Sequence, residues 1–155
     1  MDSIDKKAYV FGTLFTLANR LQILGDKLDK HLTVKQWLLL AALTKYAKET
    51  PTLSEVAAQI GVSRQNVKKM ALILEREEFL ILKKDSQDAR ILRLELTDRC
   101  KEYLRNRENK EQKFIDELFQ GFPVDLLNGL YSGVEKLNNN VNEMENTSEI
   151  NKWEV

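Results

Sequence analysis

Residues 52–97 read TLSEVAAQIGVSRQNVKKMALILEREEFLILKKDSQDARILRLELT, and the order of signals within them decides the fold. Thr52 followed by Glu55 has the form of a capping box: the hydroxyl accepts from an early helical amide and the carboxylate reaches back to the cap. Leu53, Val56, Ala57 and Ile60 then fall on one helical face. Gly61 fits the left-handed residue just past a helix end, Val62 plugs the turn, and Ser63 caps a second helix. In that helix Val67, Met70, Ala71 and Leu74 face inward, while Arg64, Gln65, Lys68 and Lys69 fall on the other side. After Glu78 the period changes to that of strands. Phe79–Lys83 and Ile91–Leu96 are short β-type runs, with Leu92, Leu94 and Leu96 alternating with Arg93 and Glu95. Residues 84–90 form the polar connection between them. Two capped helices, a tight turn and a charged hairpin make up a winged helix-turn-helix.

The flanking segments are helical. A first helix is expected from about Lys6 to Asp29, where Val10, Leu14, Leu17, Leu21, Leu24 and Leu28 recur at alternating spacings of four and three, a heptad-like stripe. Thr33 and Gln36 form another capping box, so a second helix starts at Val34 and reaches about Lys48. Its nearly all-round apolar content, from Trp37 to Leu43, predicts burial, and Pro51 closes the segment. Thr97 and Asp98 begin a long charged helix to Leu118 or Phe119, which Gly121 and Pro123 break. A last helix from about Val124 carries Leu127, Leu130, Val134, Leu137 and Val141 at three-four spacing. The acidic polar tail from Asn142 is expected to fray. The fold class is mainly α with a small β-hairpin wing.

Composition narrows the function. The 155 residues suit one ordinary domain, 43% hydrophobic content supports a core, and 31% charge implies a soluble surface. No apolar run has the length of a membrane span, and the opening MDSIDKKAYVFG lacks the regions of a secretory leader, so a cytoplasmic protein is expected. The single cysteine and single histidine leave no intrachain disulfide, no metal site and no histidine-based triad. No paired-carboxylate motif, Gly-rich phosphate loop or nucleophile–base signature is present, so neither an enzyme nor a cofactor is expected. The net charge of zero conceals an asymmetry: residues 61–110 carry 13 Lys+Arg against 9 Asp+Glu, whereas residues 111–155 carry 3 against 9. The basic excess coincides with the proposed reading segment, and nucleic-acid binding depends on local potential.

An α-helix enters the major groove with its N-terminal residues nearest the base edges. Here that end holds Ser63, Arg64, Gln65, Asn66, Lys68 and Lys69. Arginine pairs bidentately with guanine, and glutamine or asparagine with adenine, while serine and lysine suit phosphates. Thr52 and Ser54, at the start of the positioning helix, complete this part of the expected double-stranded DNA contact. The hairpin contributes Lys83, Lys84, Ser86, Gln87 and Arg90, with Arg90 the first choice for a cation in the minor groove. Asp88 is expected to orient an arginine or cap the turn.

The chain resembles the MarR family of bacterial winged helix-turn-helix regulators from about Lys6 to Met144. The resemblance is strongest in Leu53–Val67 (LSEVAAQIGVSRQNV), in Asp88–Arg90 (DAR) and in Leu94–Thr97 (LELT). The family's Asp-x-Arg wing signature maps onto Asp88 and Arg90, and its recognition helix onto Ser63–Glu78. A second arginine usual beside the first is Ala89 here. The resemblance implies a homodimer, with residues 33–97 as the DNA-binding lobe, residues 6–30 and 98–145 as dimerisation helices, and residues 146–155 as a polar tail. It further implies a repressor that reads a pseudo-palindrome with half-sites about 34–36 Å apart or a multiple of that. Small aromatic effectors bind many members, and Phe11, Phe15, Trp37, Leu38 and Tyr46 are the candidate pocket residues, although aromatics at helical spacing more often fill cores. Cys100, in the first turn of a helix, reads as a packing residue, and His31 as an incidental loop residue. The competing function is a winged-helix module that binds protein.

Overall fold

A computed structural model describes residues 2–46 and 50–146. They form α1 (Ser3–Gly25), α2 (Val34–Thr44), α3 (Leu53–Ile60), α4 (Arg64–Arg76), β1 (Leu80–Lys84), β2 (Leu92–Leu96), α5 (Asp98–Leu118) and α6 (Val124–Asn146). The expected helical pair and hairpin are therefore present in the expected order. The chain divides into two compact units, Met1–Lys110 and Glu111–Val155.

The first unit is organised around a leucine-rich core. Leu32, Leu39, Leu40, Leu43, Leu53, Val56, Val67, Ala71, Leu74, Phe79, Leu80, Leu94 and Cys100 are all buried within it. Helices α3 and α4 and strand β2 contribute the faces that their periodicity assigns. The hairpin is antiparallel with Leu80 opposite Leu96 and Leu82 opposite Leu94. Each edge is partly covered. The Leu94 amide donates to the Pro51 carbonyl at 2.9 Å, and Thr52 pairs with Arg93 in an isolated bridge. On the far side, the Leu82 amide donates to Glu75 Oε1 at 2.9 Å.

Helix ends show where local chemistry overrides periodicity. The first helix begins at Ser3, earlier than expected, because the Asp2 carboxylate caps the Ile4 and Asp5 amides. It ends at Gly25, so Leu28 lies beyond it in the connection. Asp26 then accepts the Val34 amide at 2.7 Å, which pins the start of α2 against the end of α1. The second helix stops at Thr44 rather than Lys48, and residues 47–49 lie outside the described set. It is also not buried all round, since Leu38 is exposed. The recognition helix ends at Arg76, two residues short of Glu78, in a Schellman motif: Glu78 donates to the Glu75 carbonyl and Phe79 to the Leu74 carbonyl. Glu78 takes the left-handed conformation (φ 60°) that glycine usually fills there. The strands sit one residue further along at the tip than expected. β1 includes Lys84, and Ile91 belongs to the loop because its amide closes onto the Asp88 carbonyl.

Gly25 has a sharper requirement. A Cβ at this buried position would lie 2.3 Å from Val34 Cγ2. Gly25→Ala is therefore expected to destabilise the protein by about 1–3 kcal/mol in urea unfolding, as overpacking does. The double variant Gly25→Ala/Val34→Ala should recover part of that loss; failure to recover any would locate the cost elsewhere.

Helices α1 and α6 leave their apolar residues uncovered. On α1, Tyr9, Val10, Phe11, Leu14, Phe15, Leu17 and Leu24 are exposed. On α6 no residue is buried, and Val124, Leu127, Leu130, Tyr131, Val134, Leu137, Val141 and Met144 are exposed. The latter helix continues through the stretch from Asn142 that was expected to fray; residues 147–155 lie outside the described set. Among the described residues no helix is long and apolar enough to cross a membrane.

Candidate nucleic-acid interface

The helix-turn-helix is built by three local devices. Thr52 and Glu55 form the complete capping box, with the Glu55 amide donating to the Thr52 hydroxyl at 3.2 Å and the Thr52 amide to Glu55 Oε2 at 2.7 Å. These bonds hold the Glu55 carboxyl below its ordinary range. Gly61 closes α3 at φ 68°, a conformation in which a side chain would be strained. Ser63 caps α4 by accepting the Asn66 amide at 3.2 Å. Val67, Ala71 and Leu74 anchor the inner face of α4, which fixes the rotation of its outer face.

That outer face gathers most of the expected contact residues. Ser63, Arg64, Gln65, Asn66, Lys68 and Lys69 are all exposed. Among the described residues, the side chains of Arg64, Gln65, Asn66, Lys68 and Lys69 make no hydrogen bond or ion pair. Gln65 and Lys69 stand opposite the buried stripe by helical periodicity. Two more outward residues, Leu72 and Arg76, share their row one and two turns on. Sequence reading passed over both, because it weighted the first turns alone. Ser54 is exposed on the first turn of α3, whereas Thr52 is only half-exposed and its hydroxyl is engaged in the cap.

The wing is a constrained loop. Asp85 Oδ1 accepts the amides of Gln87 and Asp88 at 2.9 and 3.0 Å. Asp88 grips Arg90 with a two-bond fork, Nε to Oδ1 at 3.0 Å and Nη2 to Oδ2 at 2.8 Å, and also accepts the Arg90 amide. This is the geometry that an orienting role requires. It holds the Asp88 carboxyl below, and the Arg90 guanidinium above, their ordinary values. The Arg90 side chain nonetheless stays 91% exposed, so its field faces solvent. Lys84, Ser86 and Gln87 are exposed beside it. Lys83, expected as a hairpin contact, lies within β1 and is paired with Glu95 across the hairpin.

Arg93 and Asp85 were not singled out from sequence, yet they tie the wing down. Arg93 Nε bonds Asp85 Oδ2, and Arg93 Nη1 donates to the Thr50 carbonyl at 2.7 Å. The Arg93 bond, with the Gln87 and Asp88 amides, lowers the Asp85 carboxyl to about 2. Because the folded value lies below the ordinary 3.8, Asp85 stabilises the fold above that pH and loses its contribution as pH falls through about 2. Asp85→Asn is expected to flatten the acid limb between about pH 4 and 2 when melting temperature is followed against pH. An unchanged limb would contradict the pairing.

The pocket candidates are not gathered into one wall. Phe11 and Phe15 stack edge-to-face at 5.2 Å on exposed α1, Trp37 packs against the core, and Leu38 and Tyr46 are exposed on or just after α2. A different cavity, of about 460 Å³, opens between the α1–α2 connection and α5. Lys27, Leu28, Asp29, Lys30, His31, Tyr103, Asn106, Arg107 and Lys110 line it. At its base Asp29 accepts from the Tyr103 hydroxyl, from Arg107 Nη1 at 3.1 Å and from the His31 amide at 2.8 Å. Burial and then the Asp29 bond push the Tyr103 phenol up to about 12. Cys100 is buried and its thiol is pushed by burial up to about 11, which makes it a packing residue and a poor nucleophile. Among the described residues no group of His, Cys, Asp or Glu is arranged to hold a metal ion.

Neither a protein-family model nor a curated protein matches the chain. Solved structures do. A MarR/EmrR family transcriptional regulator from Acinetobacter sp. ADP1 superposes with a TM-score of 0.76, covering 92% of this chain and 99% of its own at 18% identity. The fold is that of the MarR-type winged-helix regulators. PcaV from Streptomyces coelicolor, solved with its natural ligand, shares the MarR-type fold at TM-score 0.74 and 18% identity, covering 90% of this chain and 98% of its own. MepR of S. aureus, solved with DNA, does so at TM-score 0.74 and 17% identity over 84% of this chain and 97% of its own. The MarR-type likeness spans both compact units, and in this chain its helix-turn-helix and wing carry the exposed residues described above.

Proposed function

We propose that this protein is a sequence-specific DNA-binding transcriptional regulator of MarR type, a homodimeric repressor that reads a pseudo-palindromic operator. One observation carries the reading. A doubly capped helix-turn-helix presents a cluster of exposed, unengaged Arg64, Gln65, Asn66, Lys68 and Lys69 beside a hairpin whose Arg90 is held outward by Asp88. Arg64 and Gln65 carry the bidentate chemistry for base edges, and the lysines supply phosphate contacts. MepR, with the same fold, was solved on DNA.

Dimerisation is supported by the uncovered apolar residues of α1 and α6. Exposed apolar stripes of this kind on a helix mark an interface, and a two-fold pair matches a palindromic site. Effector control is supported by the cavity beneath the α1–α2 connection. Lys27, Lys30 and Lys110 have no partner among the described residues, and the one carboxylate in the wall is already committed to Tyr103 and Arg107. The Leu28 side chain and the Tyr103 ring supply an apolar wall. The effector is accordingly a small aromatic anion. PcaV, with the same fold, was solved with its natural ligand.

The test is an anisotropy titration against duplex selected from a random library, over a range of salt. Selected duplex should bind more tightly than random duplex, with affinity falling steeply as salt rises. Equal affinity for the two at moderate salt would reject the proposal. Within it, Gln65→Ala should relax base preference and weaken the selected duplex by about 1–3 kcal/mol per half-site, whereas Lys84→Ala should weaken all sequences alike. An unchanged preference profile in Gln65→Ala would place the reading face elsewhere.

A further inference from the structure

Leu72 stands on the DNA-facing row of α4, and we propose that it reads a thymine by contact with the 5-methyl group in the major groove. The inference rests on the DNA-reading proposal and adds a specificity residue to it.

The rotation of α4 is fixed by buried Val67, Ala71 and Leu74. Helical periodicity then puts Gln65, Lys69, Leu72 and Arg76 in one row on the opposite side. Leu72 is 40% exposed there, between a cation one turn before and a cation one turn after. The remaining outward residues are polar or charged except Ile73, which stands on the opposite flank of the line from Lys69 to Arg76 and away from Gln65. A leucine in a row of basic and amide side chains sets down an apolar surface where the groove offers one apolar group. That group is the thymine methyl; every other major-groove feature of the base pairs is a donor or an acceptor. The flanking Lys69 and Arg76 match the phosphates on either side of such a contact. Seven residues separate Leu72 from Gln65, a rise of about 10 Å along the helix. The methyl therefore lies about three base steps from the base that Gln65 reads, given the 3.4 Å spacing per base along a strand.

Replacing thymine by deoxyuridine removes the methyl and nothing else. Each thymine of the selected half-site is replaced in turn, and affinity is measured by anisotropy for the wild-type protein and for Leu72→Ala. The wild type should lose about 4-fold at one position, the effect of one buried methyl group. Because the substitution acts in both protomers, Leu72→Ala should bind the thymine duplex about as weakly as the wild type binds a duplex with that thymine replaced in both half-sites, and should be indifferent to the replacement. Ile73→Ala, at the more exposed neighbour on the opposite flank, should keep the wild-type sensitivity. The exposed position leaves the fold intact, which an unchanged melting temperature verifies. The inference is overturned if no thymine replacement affects the wild type, if both variants remain sensitive, or if Leu72→Ala alters the oligomeric state in sedimentation instead. Failure to select any preferred duplex would overturn the functional proposal itself, a distinct result.

Discussion

Arg64→Glu combined with Arg90→Glu is expected to abolish specific DNA binding while leaving the protein folded. In a two-fold dimer each substitution acts twice. Loss of a bidentate base contact is worth about 1–3 kcal/mol, so Arg64 alone accounts for about 2–6 kcal/mol, or roughly 30-fold to 10⁴-fold in affinity. Like-charge repulsion against phosphate adds to this. Stability should barely move. Arg64 has no partner among the described residues, and the Arg90–Asp88 pair is solvent-exposed, where such pairs contribute little. The salt dependence of residual binding should also flatten, because fewer counterions are displaced. Unchanged DNA affinity in a well-folded double variant would favour the protein-binding alternative, in which neither arginine is required.

The largest stability effect is expected at Asp29. Its side chain is 13% exposed and that of its partner Arg107 11%, so the pair is nearly shielded from water. Asp29→Ala removes at once the acceptor of the Tyr103 hydroxyl, of Arg107 Nη1 and of the His31 amide. Removing one partner of a buried pair typically costs about 3–5 kcal/mol, a large share of an ordinary domain's stability. The effect has a pH signature. Burial raises the Asp29 carboxyl, but the bonds from Tyr103 and the His31 amide and the charge of Arg107 bring it below the ordinary 3.8. A lowered folded value stabilises at pH above the ordinary one and is lost as pH falls through the lowered one. The difference between wild type and Asp29→Ala, measured by urea unfolding, should be full at neutral pH and should shrink below about pH 4. A difference of equal size at low pH would show that the cost is one of packing rather than of charge.

What was legible in the sequence was local. Capping boxes, the left-handed Gly61 and the alternation in β2 each depend on residues within four positions, and the structure realises all three. What was hidden depends on distance or on conformation. Arg93 looks like any outward strand residue until the chain brings Thr50 and Asp85 to it. Asp29 meets Tyr103 and Arg107 more than seventy positions away, and no periodicity reports such an encounter. Glu78 occupies a left-handed position without the glycine that would announce it, which is why the recognition helix was read as two residues too long. Lys83 was counted among the wing contacts because its pairing with Glu95 across the hairpin is not visible in the sequence. The apolar stripes of α1 and α6 were visible, but a stripe does not say what covers it. The candidate site divides in the same way: its reading helix follows from the cap and the period, whereas its wing depends on ion pairs that only the folded chain assembles.

The partly covered flanks of the hairpin bear on how the protein behaves at high concentration. An isolated two-stranded ribbon presents two rows of unpaired amides and carbonyls, each a template for a foreign strand. Here one row is taken up by Pro51 and Thr52 and the other is interrupted by the Glu75 carboxylate on the Leu82 amide. Strand-by-strand growth into fibres is thus hindered at the middle of both edges by the protein's own chain, while the charged tip stays exposed.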